Sequence, residues 1–320
     1  MAYTTGTATD YLDLLTRLKD YLLNSTHGSG ATGTILPVGE RWIAEKDDSG
    51  AVANERHLYL RGPGSGGTDN IHVNIRALTN SVSWYNWDLR GVTSFDDGVS
   101  FDNQPGTSVL ASDNGPTLSL SNSSFQYWII ANGRRFIVIA NVSGNWVSAY
   151  LGFIIPYALP TEFPYPLLIA GNTYDTEQVG STTSFQMGSC WYPPGTEPYP
   201  GTCSSLLREP GGEWLSFHSH SGSNASAAHI NATWPYMFFY ASAGFQLQVP
   251  GTEDSLILPI VLTSLRKSSN TYGEMEGVYW TSGTDRSSGD LITIATVEHL
   301  VVHNVYRQDP KYDFGCVALD

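Results

Sequence analysis

The sequence predicts a mainly β protein, in which an N-terminal amphipathic helix precedes antiparallel β-sandwich or barrel-like domains. Charged residues make up only 14% of the 320 residues, against roughly 25% in an average globular domain. Hydrophobic residues still reach 41%, which is enough for a large core. Beyond the first helix, most segments alternate apolar and polar residues between turn signals, and no further helical pattern stands out. This alternation is typical of antiparallel strands.

The helix is predicted at the start of the chain. Thr9 or Thr7 can cap it, and Asp10 and Asp13 fall in its first turn, where the helix dipole favours acidic residues. Its apolar positions recur at i, i+3, i+4 and i+7 and so form one stripe. The stripe consists of Tyr11, Leu14, Leu15, Leu18, Tyr21 and Leu22. One helix of this length is unstable alone in water, so the stripe must bury against its own chain or against a neighbouring subunit.

The most hydrophobic stretch, Tyr127–Tyr150, has the sequence YWIIANGRRFIVIANVSGNWVSAY. Asn132-Gly133 is a strong signal for a type I′ turn, so residues 126–131 and 134–142 are predicted to form a tight hairpin. A second turn at Ser143-Gly144-Asn145 leads into a third strand. We expect this hairpin to form sheet core.

Charge and hydropathy limit the possible partners. A net charge of −14 repels phosphate backbones, so we expect no direct contact with nucleic acid. No run of 18 apolar residues is present, and two arginines interrupt the most apolar stretch, so we expect no membrane span. Arg134 and Arg135 follow the hairpin turn directly, in a chain where positive charge is scarce. We expect both side chains to lie at the solvent-exposed end of the hairpin and to face an acidic neighbour.

The segment Pro156–Pro166 (PYALPTEFPYP) is rich in proline, which cannot donate to a central sheet ladder. We interpret it as an extended surface connection and place a domain boundary there. The predicted organisation is a helical arm over residues 1–27, a first β-rich domain over 28–165 and a second over 166–320. One continuous unit is the alternative.

Gly62–Gly67 matches the G-x-G-x-x-G pattern of dinucleotide-binding loops. That chemistry requires a helix directly afterwards, because the helix N-terminus binds the pyrophosphate. Here Ile71–Leu78 alternates as a strand, so the pattern predicts a glycine-rich turn. We expect no cofactor.

Metal-binding patterns are also weak. His218 and His220 point to the same face if they lie on a strand, which makes them the best candidates for metal ligands. The acidic segments 47–50 and 96–103 are oxygen-rich and can in principle hold Ca²⁺, but Asp and Asn are also the usual residues of turns. We expect no bound metal.

Aromatic residues in surface-type loops are candidates for protein interfaces or for sugar binding. The clearest are Trp191 and Tyr192, in the loop WYPPGTEPYPGT. This loop lies between Cys190 and Cys203, and we expect three free thiols, with a pair between these two cysteines as the alternative. The predicted interface residues are therefore the helix stripe, the two hairpin arginines, Trp191 and Tyr192.

Several stretches resemble those of tailed-bacteriophage virion structural proteins, a family of tail or baseplate type without a defined activity. They are TGTATDYLDLLTRL, HLYLRGPGSGGTDNIHVNIRAL, SWYNWDLRGVTSF, YWIIANGRRFIVIANVSGNWVSAYLGFIIPYALPTEFPYPLLIAG and HLVVHNVYRQDPKYDFGCVALD. The resemblance implies synthesis in the host bacterial cytoplasm and a place in the virion. It also implies a role for the helix as a clip to a neighbouring subunit, the tail tube, the sheath or the baseplate.

The first hypothesis is a structural tail or baseplate component that forms a symmetric oligomer with copies of itself and contacts other virion proteins. The second is a tail protein that binds a host-surface glycan. The third is a capsid decoration or head–tail joining protein. We expect no enzyme, and a polysaccharide depolymerase is the last hypothesis, because a pair of carboxylates cannot be recognised from spacing in the sequence.

Overall fold

A computed structural model describes most of the chain and shows a mainly β protein with antiparallel sheets and the expected N-terminal helix. The described residues are 1–49, 55–64, 66–79, 85–108, 116–171, 190, 205–217, 231–234, 256–264, 270–303 and 314–319. No helix in these ranges is long and apolar enough to cross a membrane.

The helix α1 spans Tyr11–Asn24, and short 3-10 turns lie at Val38–Glu40 and Phe101–Asn103. The strands are β1 (Ala2–Ala8), β2 (Thr32–Gly33), β3 (Ile43–Ser49), β4 (Arg56–Gly62), β5 (Ile71–Thr79), β6 (Tyr85–Val92), β7 (Thr117–Leu120), β8 (Phe125–Ala131), β9 (Arg135–Val142), β10 (Asn145–Phe153), β11 (Ile155–Pro156), β12 (Leu167–Ala170), β13 (Ser205–Arg208), β14 (Trp214–Phe217), β15 (Asn231–Trp234), β16 (Ile257–Ser264), β17 (Asn270–Thr281), β18 (Leu291–Ile294), β19 (Val297–His303) and β20 (Phe314–Ala318).

The strands form three antiparallel sheets. The central sheet has eight strands in the order β14-β13-β12-β10-β9-β8-β1-β2. The five-stranded sheet runs from β3 to β7 in chain order, and the seven-stranded sheet has the order β15-β16-β17-β20-β19-β18, with β11 paired to β17. Each order begins and ends on an edge strand, so within the described ranges none of these sheets closes into a barrel.

The central sheet is buried on both faces. Along β9, Phe136 and Val138 belong to a hydrophobic cluster with α1 and the five-stranded sheet. Ile137 and Ile139 belong to a second cluster, which joins the other face to the seven-stranded sheet. Because successive side chains of a strand point to opposite faces, a strand buried on both faces must be apolar throughout. This explains why the hairpin is the most hydrophobic stretch of the chain.

The turn that joins β8 to β9 differs from the prediction. A type I′ turn needs positive φ at both central residues, whereas neither Asn132 nor Gly133 has a positive φ. Ala131 pairs with Phe136, and the Asn132 side chain accepts hydrogen bonds from the backbone N–H of Arg134 (2.8 Å) and Arg135 (3.0 Å). The asparagine side chain therefore organises this loop in place of the type I′ backbone.

The next hairpin has the positive-φ pair instead. Ser143 (φ 53°) and Gly144 (φ 90°) are both left-handed, and Val142 pairs with Asn145 across them. This two-residue loop has the type I′ geometry that the sequence suggested one hairpin earlier. The Asn141 side chain supports it by accepting from the Gly144 N–H at 2.9 Å.

Gly133 is required for close backbone contact. The Gly64 N–H, in the glycine-rich turn before β5, donates to the Gly133 carbonyl at 2.7 Å. A Cβ atom at Gly133 would lie 2.4 Å from the Gly64 carbonyl oxygen. The chain leads from this turn into strand β5, as predicted, and the Gly64 backbone packs against the hairpin loop.

The N-terminal segment is not a separate arm. Strand β1 pairs with β8 along its whole length, from Ala2 opposite Ala131 to Ala8 opposite Phe125. All six residues of the helix stripe are at most 3% exposed and lie in the cluster beneath the five-stranded sheet. The cap also differs from the prediction, because Asp10 accepts from the N–H groups of the first turn. The stripe is therefore buried by its own chain and not by a neighbouring subunit.

The predicted boundary at residue 165 does not separate two folds. Strand β10 pairs with β12 across it, and the central sheet continues to β14. The connection itself begins as β11, which pairs with β17, and then exposes Tyr157 and Leu159. Strands from both predicted domains therefore share one sheet.

We expect Gly133→Val to destabilise the protein by about 1–3 kcal/mol, because its side chain would collide with backbone that cannot move aside. Chemical denaturation should show a lower midpoint with an unchanged slope. Gly39→Val is the matched control, since no atom lies within 4 Å of a Cβ there, and a change beyond about 0.5 kcal/mol in the control would contradict the steric explanation.

Deletion of residues 1–27 should prevent folding, because it removes a strand from inside the central sheet together with a helix from the core. Circular dichroism and solubility of the truncated protein measure this directly.

Leu18→Ala tests the packing of the helix without shortening the chain. Leu18 is fully buried, so we expect a loss of about 2–5 kcal/mol. Leu291→Ala, at a position that is 56% exposed, should change stability by less than about 0.5 kcal/mol. A folded and soluble protein that lacks residues 1–27 would contradict the conclusion that these residues belong to the core.

Candidate functional site

The face of the five-stranded sheet that points away from the core is polar. The register places these side chains in rows, with Asn74 between Tyr59 and Arg90, and Arg76 between His57 and Asp88. The alternation of apolar and polar residues in β5 and β6 reflects this arrangement. What the alternation did not reveal is that many of the polar side chains are buried, including His72 (8% exposed), Asn74 (1%), Asp88 (6%) and Arg90 (5%).

The cover over this face is residues 93–107, the first part of the connection between β6 and β7, called here the covering loop. Two of its aromatic rings, Phe95 and Phe101, contact Tyr59 with centroids 5.1 and 6.0 Å apart. The Arg76 guanidinium lies 4.7 Å from the centre of the Phe101 ring, a cation–π arrangement. Aromatic and charged contacts together hold the loop over the sheet.

Two arginines and two aspartates form a closed ion-pair network beneath the loop. Arg76 contacts Asp88 at 2.7 Å and Asp102 at 2.9 Å, while Arg90 contacts Asp88 at 2.9 Å and Asp102 at 3.9 Å. Burial raises the pKa of Asp88, although Arg90 and Arg76 favour its charged form. Asp102 belongs to the covering loop, so the network joins the loop to the sheet.

Three buried side chains beside this network have nitrogen atoms without a hydrogen-bond partner. They are Asn74 Nδ2, Arg90 Nε and His72 Nδ1. Asn74 and Arg90 are direct cross-strand partners, and His72 lies two residues along the same face of β5. Burial lowers the pKa of His72, so its ring is neutral at pH 7 and can either donate or accept. The arrangement can bind oxygen atoms of a ligand.

The acidic segments considered for Ca²⁺ are used in ion pairs. Asp47 contacts Arg56 at 2.8 Å and Lys19 at 2.9 Å. Lys46 contacts Asp97 at 2.8 Å and Asp48 at 3.2 Å. The described residues contain no group of three or more side chains that could hold a metal ion. His218 and His220 lie outside the described residues.

The hairpin arginines occupy an interior position. Arg135 is fully buried, donates from Nη1 to the Ile130 carbonyl at 3.2 Å, and has its pKa lowered by burial. Arg134 lies 3.8 Å from Glu276 on β17, and Glu276 also accepts from Asn132 at 2.6 Å. The prediction that Arg135 is exposed to solvent is wrong, because the seven-stranded sheet packs over this end of the hairpin. An acidic neighbour is present, but it belongs to the same chain.

The other predicted interface residues divide into two groups. The helix stripe is interior, so these six side chains do not form a surface for another subunit. Trp191 and Tyr192 lie outside the described residues. Cys190 is a buried free thiol, and burial raises its pKa to about 12, whereas Cys203 lies outside the described residues. Cys316 is also free and buried.

A serine and a histidine that no sequence pattern connects also meet. Ser288 Oγ contacts His303 Nδ1 and accepts from the His303 backbone N–H at 2.8 Å. The double contact ties the turn before β18 to the end of β19. Both contacts use the Ser288 hydroxyl, so its role here is structural.

No protein-family model matches this chain, and no curated protein matches it. Its function must therefore be argued from the residues and the geometry.

The ion pair of Asp47 generates a prediction about pH. The Arg56 hydrogen bonds, opposed by burial and aided by Lys19, lower the pKa of Asp47 from 3.8 to about 2. A carboxyl with a lowered pKa stabilises the fold above its unfolded pKa and loses this contribution as the pH falls through the folded value. Because water screens part of this ion pair, Asp47→Asn should cost on the order of 1 kcal/mol at pH 7 and much less near pH 2.

Thermal or urea unfolding of both proteins between pH 2 and pH 7 measures this difference. Asp285→Asn, the same change at an exposed position, should give only a small difference in stability at pH 7. A deficit for Asp47→Asn that stays constant down to pH 2 would contradict the assignment.

Proposed function

We propose that this protein is a structural component of a bacteriophage virion, most specifically of the tail or baseplate. In this proposal it forms a symmetric oligomer through contacts with copies of itself and with tail tube, sheath or baseplate proteins. It is made in the host bacterial cytoplasm and remains in the virion. The sequence stretches that resemble virion structural proteins support the proposal, and so does a body built mainly of antiparallel β-sheets.

The observation that carries the proposal is how the body is braced. The central sheet is buried on both faces, and scarce cations connect separate elements: Arg56 and Lys19 join β4 and α1 to Asp47 on β3. Arg134 joins the central sheet to Glu276 in the seven-stranded sheet. Such internal bracing suits a particle component that must resist force while it remains in place.

The surface between two edge strands is available for contacts with other subunits. Strand β2 ends the central sheet and β3 ends the five-stranded sheet, and between them Ile35 and Val38 are 68% and 76% exposed. Unpaired strand edges and exposed apolar side chains are features that protein–protein contacts use. In our proposal this segment contacts a neighbouring copy of the chain.

A tail protein that binds a host glycan is the second candidate, and the unpaired polar atoms on the five-stranded sheet favour it. No specific observation favours a capsid decoration protein, a head–tail joining protein or a polysaccharide depolymerase.

Complementation of a phage that lacks this gene tests the proposal. Particles should contain the chain by mass spectrometry, and electron microscopy should show tail or baseplate defects without it. The double variant Ile35→Asp and Val38→Asp should fold but enter particles poorly, because charges would be buried at the contact. Leu291→Asp, at an exposed position on β18, should be incorporated normally. Particles that assemble and infect without the chain would contradict the structural role.

A further inference from the structure

We propose that the polar face of the five-stranded sheet is a binding site for an uncharged saccharide, whose hydroxyl groups bond to Asn74, Arg90 and His72 beneath the covering loop. The inference concerns the chemistry of this face and does not depend on a virion location.

The unpaired atoms define what a ligand must offer. Asn74 Nδ2 and Arg90 Nε are hydrogen-bond donors, and the neutral His72 ring can accept or donate at Nδ1. A hydroxyl group both accepts and donates, so adjacent sugar hydroxyls match this mixed set. Because a buried polar group without a partner destabilises the protein, a face with several of them is unfavourable unless something bonds to it.

The charges on the face argue against an ionic ligand. Arg76 and Arg90 are balanced by Asp88 and Asp102 in the closed network, which leaves no excess positive charge. An anion would enter a site that is already neutral, in a protein with net charge −14. A cation would meet nitrogen donors. An uncharged, oxygen-rich ligand avoids both penalties.

Aromatic rings complete the arrangement. Tyr59 is the cross-strand partner of Asn74, and Phe95 and Phe101 of the covering loop contact its ring. Sugar rings have an apolar C–H face, and binding sites for small polar ligands combine apolar walls with a few placed polar groups.

The covering loop is held together by its own hydrogen bonds. Gln104 is buried inside it, donating to the carbonyls of Asp96 (2.9 Å) and Val99 (3.1 Å) and accepting from the Asp96 N–H (2.9 Å). Its charged contacts to the sheet are the Asp102 pairs and one pair between Asp97 and Lys46. Both aspartates are at least half exposed, so these charged contacts add little to the aromatic contacts of Phe95 and Phe101 that also hold the loop. Opening the loop would uncover Asn74 and Arg90.

Titration of the full-length protein tests the site, with chemical-shift changes and thermal stability as readouts. The neutral probes are glucose, galactose and N-acetylglucosamine. Glucuronate and inorganic phosphate are the charged probes for comparison. At least one neutral sugar should bind, while the charged probes should not. Asn74→Leu should weaken sugar binding at least about tenfold and should leave the protein equally or more stable, because it removes an unpaired buried amide.

Asn74→Ser provides the same test if the leucine variant does not fold. Asn103→Ala is the control, since Asn103 lies on the exposed side of the same loop and bonds to Ser100, and it should bind sugar normally. Asp102→Asn should speed association, because it weakens the hold on the loop. Binding of phosphate or glucuronate alone would identify an oxyanion site and overturn the proposal. No binding of any probe to the wild-type protein would also overturn it, by showing that only water bonds to these groups.

Discussion

Burial of the central sheet on both faces governs the rest of this structure. A half-exposed strand can keep every second residue polar, but a strand between two cores must be apolar on both sides and must pair every backbone group with its neighbours. Strands β8, β9 and β10 meet this requirement. The helix and the five-stranded sheet cover one face, and the seven-stranded sheet covers the other. Strand β1 pairs with β8, so the start of the chain is part of the core.

In such a structure, polar groups lie at two kinds of position. These are the outer faces of the covering sheets and the ends of the central hairpins. At the hairpin end, Arg134, Glu276 and Asn132 bond to one another where the seven-stranded sheet packs. On the five-stranded sheet, paired charges hold the covering loop. A sheet that served bracing alone would be more stable with apolar residues in place of unpaired buried nitrogens. The polar atoms that remain unpaired are therefore the strongest indication of a ligand.

The proposed role in the particle and the proposed saccharide site are compatible with each other. A tail or baseplate component would meet the cell surface, where oxygen-rich polymers are abundant, and a rigid scaffold that carries the covering loop can combine bracing with binding. The two roles rest on separate observations. The bracing depends on ion pairs between elements and on the doubly buried sheet, whereas the saccharide site depends on Asn74, Arg90 and His72.

Periodicity and local backbone preference were enough to predict the β class, the amphipathic helix, the strands of the central hairpin and the glycine-rich turn before β5, because these signals act over a few residues. The tertiary structure was needed to show that β1 and α1 are core rather than an arm, that Arg135 is buried, and that sheets continue across residue 165. It was also needed to show that the type I′ turn joins β9 to β10 and not β8 to β9. Side-chain hydrogen bonds of Asn132 override the type I′ preference of Asn132-Gly133. The polar face was visible as alternation in β5 and β6, but its burial was not, because that depends on where a separate loop packs.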